Sequence, residues 1–141
     1  LMHDIGKLCV PDEIVEKPAR LTVAEFSVME RHSFETYQIL RHVPGLEIVA
    51  EWAAFHHEAL NGHGYPFRRS APTLAPEARI VAVADVFQAL AQVRPYRGAQ
   101  RLDEISRTLG EFAAKGILDP DIVALARDDL DNCFRAATQP V

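Results

Sequence analysis

The stretch Ile80-Val81-Ala82-Val83-Ala84-Asp85-Val86-Phe87-Gln88-Ala89-Leu90 is apolar almost all round. Pro76-Glu77 starts it as a helix, with proline in the first turn and an acid near the positive end of the dipole. A helix without a polar face is buried on most sides, so the rest of the chain must supply the elements that cover it. Asp85 is the only charged residue between Arg79 and Arg94. An unpaired carboxylate in such a place would cost several kcal/mol or be forced neutral. Asp85 is therefore a partner in a buried ion pair, an acceptor for backbone donors, or a metal ligand.

The remaining segments also read as helices. A short turn or helix starts at Pro11-Asp12-Glu13 and ends near Lys17-Pro18. Thr22 with Glu25 three residues on is a capping box, opening a helix to about His42 whose apolar stripe runs Phe26, Met29, Tyr37 and Leu40. His32 stands on that stripe, three residues after Met29. Pro44-Gly45 breaks the chain, and a second helix spans roughly Leu46 to Glu58. Residues 59–76 hold Gly62, Gly64, Pro66, Pro72 and Pro76, a loop of about 18 residues, a length that in compact domains tends to be functional. After the Asp85 helix, Leu102, Ile105, Leu109 and Phe112 mark another, closed by Gly116. Asp119-Pro120 caps the last, which carries Ile122, Val123, Ala126, Leu130, Cys133 and Phe134. No stretch of convincing β-period appears. The expected fold is all-α, a helical bundle.

At 141 residues, 48% apolar and 25% charged, the chain suits a single globular domain, 1–141. No apolar run approaches the ~18 residues of a membrane helix. Fifteen Lys and Arg against twenty acids leave a net charge of −5, the wrong sign for a non-specific DNA or RNA binder. An anionic substrate would need a local positive site, which bound cations and a few arginines provide. Cys9 and Cys133, distant and without CxxC spacing, read as reduced thiols of a cytoplasmic protein. The chain opens on Leu-Met-His, with no helix ahead of its His-Asp pair, and reads as a fragment lacking N-terminal helices.

His3-Asp4, His32, His56-His57 and Asp85 supply imidazoles and carboxylates without thiolate, a set that favours divalent metals such as Mn, Fe, Co or Zn. Taken singly each has a plainer reading. His32 alone would be a satisfied core histidine, and Lys7, three residues after Asp4, is on spacing alone as well explained by a salt bridge as by a substrate phosphate. Adjacent helical residues point about 100° apart, so His56 and His57 reach one site only if it is wide, as a two-metal site is. His42 and His63 are expected in solvent and are assigned to no metal.

Taken in order, the motifs are His3-Asp4-Ile5-Gly6-Lys7, then Lys17-Pro18 with Leu21-Thr22, then Met29-Glu30-Arg31-His32. His56-His57-Glu58 follows with Gly62 and Gly64-Tyr65-Pro66, then Ala78-Arg79 leading into Ile80–Leu90, and Arg94-Pro95-Tyr96-Arg97. This order closely resembles the HD-GYP subfamily of the HD-domain metal phosphohydrolases, from Leu1 to about Gly98. Leu118-Asp119-Pro120 also resembles the family's entry to its closing helix. The resemblance implies an HD-domain-like helical bundle that hydrolyses cyclic di-GMP, a bacterial second messenger, to linear pGpG and on to GMP, using two or three divalent ions, often iron or manganese. It implies metal ligation by His3, Asp4, His32, His56, His57 and Asp85, with Asp4 bridging two ions. Lys7 would contact the scissile phosphate, Arg94 and Arg97 would hold phosphates or guanine, and Gly64, Tyr65 and Pro66 would shape the lip of the pocket. A sensory or receiver domain ahead of this one and a diguanylate cyclase domain as partner are further implications, as in two-component signalling.

The chain departs from the family pattern at several positions. Gln88 stands where a second acid is usual, Thr36 where a glycine is usual, Asn61 and His63 where Asp and a small residue are usual, and Val93 where an acid often precedes the Arg-Pro-Tyr. None removes an expected ligand. Beside the phosphodiesterase stand two other readings: a phosphohydrolase of another nucleotide, and a catalytically weak module that binds a cyclic dinucleotide or a partner.

Overall fold

The computed structural model describes residues 2–93 and 98–139. A 3₁₀ turn, Ile5–Cys9, leads into the short helix α1 (Asp12–Val15) and the long helix α2 (Val23–Leu40). Helix α3 (Glu47–Ala54) ends in a second 3₁₀ turn, Phe55–His57, before the long loop and α4 (Pro76–Ala91). Helices α5 (Leu102–Ala114), α6 (Pro120–Asp128) and α7 (Leu130–Thr138) complete an all-α domain. The described residues contain no strand, only an isolated bridge between Asn61 and Ser70 inside the loop.

The helix starts follow local side-chain chemistry. Thr22 Oγ1 accepts the Glu25 N–H at 3.3 Å, and the Glu25 carboxylate accepts the Thr22 N–H at 2.7 Å. That capping box satisfies two orphan donors of α2. Glu25 also takes the Lys17 ammonium at 2.6 Å, tying the Lys17-Pro18 segment to the helix start. Asp119 caps α6 by accepting the Asp121 and Ile122 N–H groups.

Helix α4 is the hub. One side meets α3 and the Phe55–His57 turn, and another meets α5, α6 and α7. On that second side Ala82, Val83, Phe87 and Leu90 are buried with Ile105, Leu109, Leu118 and Val123. A smaller cluster of Ala54, Phe55, Leu74 and Ala78 packs under the loop, with Leu40, Ala50 and Ala53 beside it. Tyr37 of α2 touches both smaller clusters. The first 3₁₀ turn, the middle of α2, the turn after α3 and the middle of α4 thereby converge, and the candidate ligands lie at that convergence.

Two boundaries and the burial of one helix differ from the sequence reading. Helix α3 stops at Ala54 rather than running to Glu58, because the chain tightens into the 3₁₀ turn and turns extended at Glu58 (φ −70°, ψ 146°). The single last helix is two, broken at Asp129 (φ −134°, ψ 49°), whose carboxylate accepts the Asn132 side-chain amide at 2.7 Å. Both halves face the same core, so the apolar period runs on across a break that no glycine or proline announces. Finally, α4 is not enclosed on most sides: Ile80 is 53% exposed, and Ala84 is exposed one turn further along the same face.

Candidate metal and substrate site

The six candidate ligands come from four segments and meet in one place. His3 and Asp4 sit at the start of the first 3₁₀ turn, His32 in α2, His56 and His57 in the turn after α3, and Asp85 in the middle of α4. One set of ligand atoms, from His32, His56 and His57, lies within 4.8 Å of one another, and a second set, from His3, Asp4 and His56, does likewise. His56 belongs to both. Asp85 joins through His3, whose Nε2 lies 3.5 Å from Asp85 Oδ1 and 3.4 Å from Asp4 Oδ2.

Local hydrogen bonds aim the imidazoles. His32 Nδ1 lies 2.7 Å from the Met29 carbonyl, and His56 Nδ1 lies 2.6 Å from the Ala53 carbonyl. A carbonyl only accepts, so in each ring Nδ1 carries the hydrogen and Nε2 presents its lone pair to the cluster. His32 Nε2 meets Ser33 Oγ at 3.3 Å and Asp4 Oδ1 at 3.4 Å. His56 Nε2 is enclosed and has no hydrogen-bond partner among the described residues. A buried polar atom without a partner is costly, and a lone pair aimed at other lone pairs is a natural seat for a cation. The 3₁₀ turn brings the His56 and His57 rings to 3.9 Å between centroids, so the adjacent pair reaches a common region.

Electrostatics agree with a ligand cluster. Burial pushes the His56 imidazole down to about 4. His57 falls to about 3 through burial and the neighbouring His56. Burial lowers His32 as well. These rings are neutral at pH 7 and have lone pairs to give. His3 goes the other way, raised to about 9 by hydrogen bonding toward Asp4 and then Asp85, which outweighs its burial. Burial works against charge on both acids, yet His3 and Lys7 hold the Asp4 carboxyl well below the ordinary carboxylate range, and His3, His56 and His57 hold Asp85 below it too. Three neutral imidazoles and two carboxylates surrounding one exchangeable proton on His3 form a donor set suited to divalent cations.

Five of the six candidate ligands, His3, Asp4, His32, His57 and Asp85, line an open cavity of about 860 Å³, within the ~300–1,000 Å³ of small-molecule sites. Lys17, Arg20, Phe26, Gln88, Leu90 and Phe112 also line it. Lys7 Nζ lies 2.7 Å from Asp4 Oδ2, so the salt bridge and a place on the cavity wall hold together. Of Gly64, Tyr65 and Pro66, Tyr65 lines the cavity, its ring 4.7 Å from that of His57. Gly64 lies beneath: a Cβ there would overlap backbone atoms of His57, Glu58 and Ala59. His42 and His63 are exposed and distant from the cluster's bonding, His42 Nδ1 meeting Gln38 O and the His63 N–H donating to Asn61 Oδ1. Arg94 and Arg97 fall outside the described residues.

Glu58 is the residue the sequence reading passed over. It is buried, and its carboxylate accepts the Phe67 N–H at 2.6 Å and the Arg69 N–H at 2.8 Å. The Tyr65 N–H donates back to the His57 carbonyl at 3.1 Å. One acid thus closes the far side of the loop that sets Tyr65 on His57. The signal was present: an acid directly after two histidines, facing a loop rich in free N–H groups. Glu58→Ala orphans both donors and is expected to cost about 3–6 kcal/mol, since hydrogen bonds to a charged acceptor contribute ~1.5–3 kcal/mol each. Glu58→Gln, which keeps one acceptor oxygen, should fall between. Thermal melts of the three proteins check this, and equal midpoints would show that other contacts hold the loop.

Compared with known proteins, residues 1–122 match the family model described as HD domain. The chain belongs to the HD domain family. Its motifs and relatives make it an HD domain of the HD-GYP type. It is 43% identical over 122 residues to the 3'3'-cGAMP-specific phosphodiesterase 1 of Vibrio cholerae, covering 86% of this chain and 28% of that protein. It is 40% identical to the cyclic di-GMP phosphodiesterase response regulator RpfG of Xanthomonas campestris, covering 86% of this chain and 32% of the other. A cyclic di-GMP phosphodiesterase of Thermotoga maritima is 38% identical, with 86% and 33% covered. The HD domain thus spans about a third or less of the length of these relatives. Divalent-metal binding follows from the family, and the His/Asp clusters fit it. No helix among the described residues is long and apolar enough to cross a membrane.

Proposed function

We propose that this HD domain is the catalytic domain of a metal-dependent phosphodiesterase that hydrolyses a cyclic dinucleotide, cyclic di-GMP in the first instance, to the linear 5'-phosphorylated dinucleotide. The carrying observation is the gathering of six ligand side chains from four segments around the enclosed, partnerless Nε2 of His56, with Asp85 joined through His3, beside a cavity large enough for such a substrate that His3, Asp4, His32, His57 and Asp85 line. His3, Asp4, His32, His56, His57 and Asp85 would hold two or three divalent ions, iron or manganese by family resemblance. Such ions supply a water acidified to near-neutral pKa and a positive counterpart to the phosphate.

The chain's own groups do the rest. Lys7 on the cavity wall gives one of its three N–H donors to Asp4 and offers the other two to a phosphate oxygen. Burial raises the Tyr65 phenol above its ordinary value, so it stays protonated at neutral pH and can donate a hydrogen bond. The half-apolar walls formed by Phe26, Leu90 and Phe112 suit the face of a purine, and Arg94 and Arg97 would grip its phosphates or guanine edge. Bidentate hydrogen bonding is what arginine brings to such groups. Water adds to one phosphodiester phosphorus, the ribose 3'-oxygen leaves as the alcohol, and the ring opens.

Relatives include proteins named for 3'3'-cGAMP as well as for cyclic di-GMP, so a mixed purine ring is the second reading. Both substrates are to be incubated with the protein loaded anaerobically with Mn²⁺ or Fe²⁺, products separated by chromatography and metal measured by elemental analysis. At least two ions per chain are expected, with conversion of cyclic di-GMP to the linear dinucleotide. Faster opening of 3'3'-cGAMP moves the substrate assignment. Tight binding of both with no turnover establishes a receptor instead, and absence of bound metal removes the site.

A further inference from the structure

We propose that Thr36 is a positioning residue for the His3-Asp4 pair, its hydroxyl locking that pair in register with His32. The inference rests on the metal reading above. Thr36 lies in α2 one turn beyond His32 and is fully buried. A hydroxyl has one hydrogen to give and lone pairs to receive, and here both are used. Oγ1 donates to the His3 carbonyl at 3.1 Å and accepts the Gly6 N–H at 3.0 Å. His3 and Gly6 flank Asp4, so a single oxygen pins both sides of the residue expected to bridge two ions.

The demand for such a pin is local. At the start of the Ile5–Cys9 turn the Ile5 N–H finds Met2 O at 3.2 Å and the Lys7 N–H finds Asp4 O at 2.9 Å. The Gly6 N–H, buried between them, is satisfied by Thr36. The glycine that the family resemblance expects at this position has no hydroxyl, so the lock is a property of this chain. Rather than weakening the site, Thr36 ties two ligand-bearing segments 30 residues apart in sequence through one atom. Hydrogen bonds that hold a ligating side chain typically affect affinity ~10–100-fold, and Thr36 holds the backbone that carries the His3 and Asp4 side chains.

Thr36→Val keeps the shape and removes both hydrogen bonds, and Thr36→Ser keeps the hydroxyl. Mn²⁺ binding is to be measured by calorimetry for wild type and both variants at a temperature where each is fully folded, with melting midpoints recorded without added metal. The valine variant should bind Mn²⁺ about 10–100-fold more weakly, and the serine variant within about threefold of wild type. If valine lowers the midpoint but binds Mn²⁺ as tightly as wild type, Thr36 is structural only and the proposal falls. Equal losses in serine and valine also overturn it, since the hydroxyl is then not the operative group. Should Thr36→Val fail to fold, Thr36→Ala makes the same comparison. A wild type that binds no Mn²⁺ overturns the metal reading and this inference together, an outcome distinct from the others.

Discussion

Gly6→Ala is expected to lower the melting midpoint by on the order of 10 °C and to abolish divalent-metal binding in the protein that remains folded. A Cβ on Gly6 would overlap the His32 carbonyl oxygen and lie 2.5 Å from the Thr36 backbone nitrogen. Both obstacles are backbone atoms of a buried helix, so no side chain can rotate aside. Overpacking of a tight site costs ~1–3 kcal/mol and more where the backbone must shift, and in a domain of this size each kcal/mol is worth roughly 2–6 °C. The shift would move the turn off α2, carrying His3 and Asp4 away from His32 and breaking the Thr36 hydrogen bonds. Differential scanning calorimetry and elemental analysis of the same preparation read both effects. Wild-type stability and metal content in Gly6→Ala would mean that the turn does not approach α2 as closely as described.

That close approach was invisible in the sequence, although Gly6 sits inside a recognisable motif. A motif says which residue types occur together; it does not say which backbone presses against them. What was legible had a local cause. Thr22-Glu25 and Asp119-Pro120 announce helix starts because their side chains bond the backbone two or three residues away, a relation that sequence spacing encodes. Asp85 was legible because a lone charge in an apolar helix must have a partner.

The misses have long-range causes. The end of α3 at Ala54 and the tightening over Phe55–His57 are set by the Glu58 carboxylate reaching nine and eleven residues ahead. The break at Asp129 leaves the apolar period intact because α6 and α7 pack on the same core. The exposed Ile80 and Ala84 were misjudged because hydrophobicity reports a preference for burial and not whether a neighbour is there. For the site, all six expected ligands are brought together. Thr36, read as a departure, holds the His3-Asp4 turn.

Asp85→Asn should abolish turnover of the cyclic dinucleotide and weaken divalent-metal binding by more than the ~10–100-fold typical of residues one step removed from an ion, while leaving the fold intact. Asparagine keeps the shape and volume of aspartate, and the Asp85 side chain is 21% exposed, so packing in α4 changes little. What changes is charge. Asp85 and Asp4 share the His3 imidazole at 3.5 and 3.4 Å, and together they raise it to about 9. With Asp85 neutral, the His3 value should fall toward the ordinary 6.5 while staying above it through Asp4. Proton NMR of the His3 ring across a pH series without added metal reads that shift directly. The melting midpoint should drop only slightly, since the lost pair is partly solvated and exposed ion pairs contribute ~0–1 kcal/mol. A variant that folds normally, shows the lowered His3 value and yet binds metal and turns over like wild type would place Asp85 in an ion pair alone. A variant that folds, shows the lowered value and is inert would make Asp85 the anionic wall of the metal site, carried in an otherwise apolar helix with the His3 imidazole 3.5 Å from it.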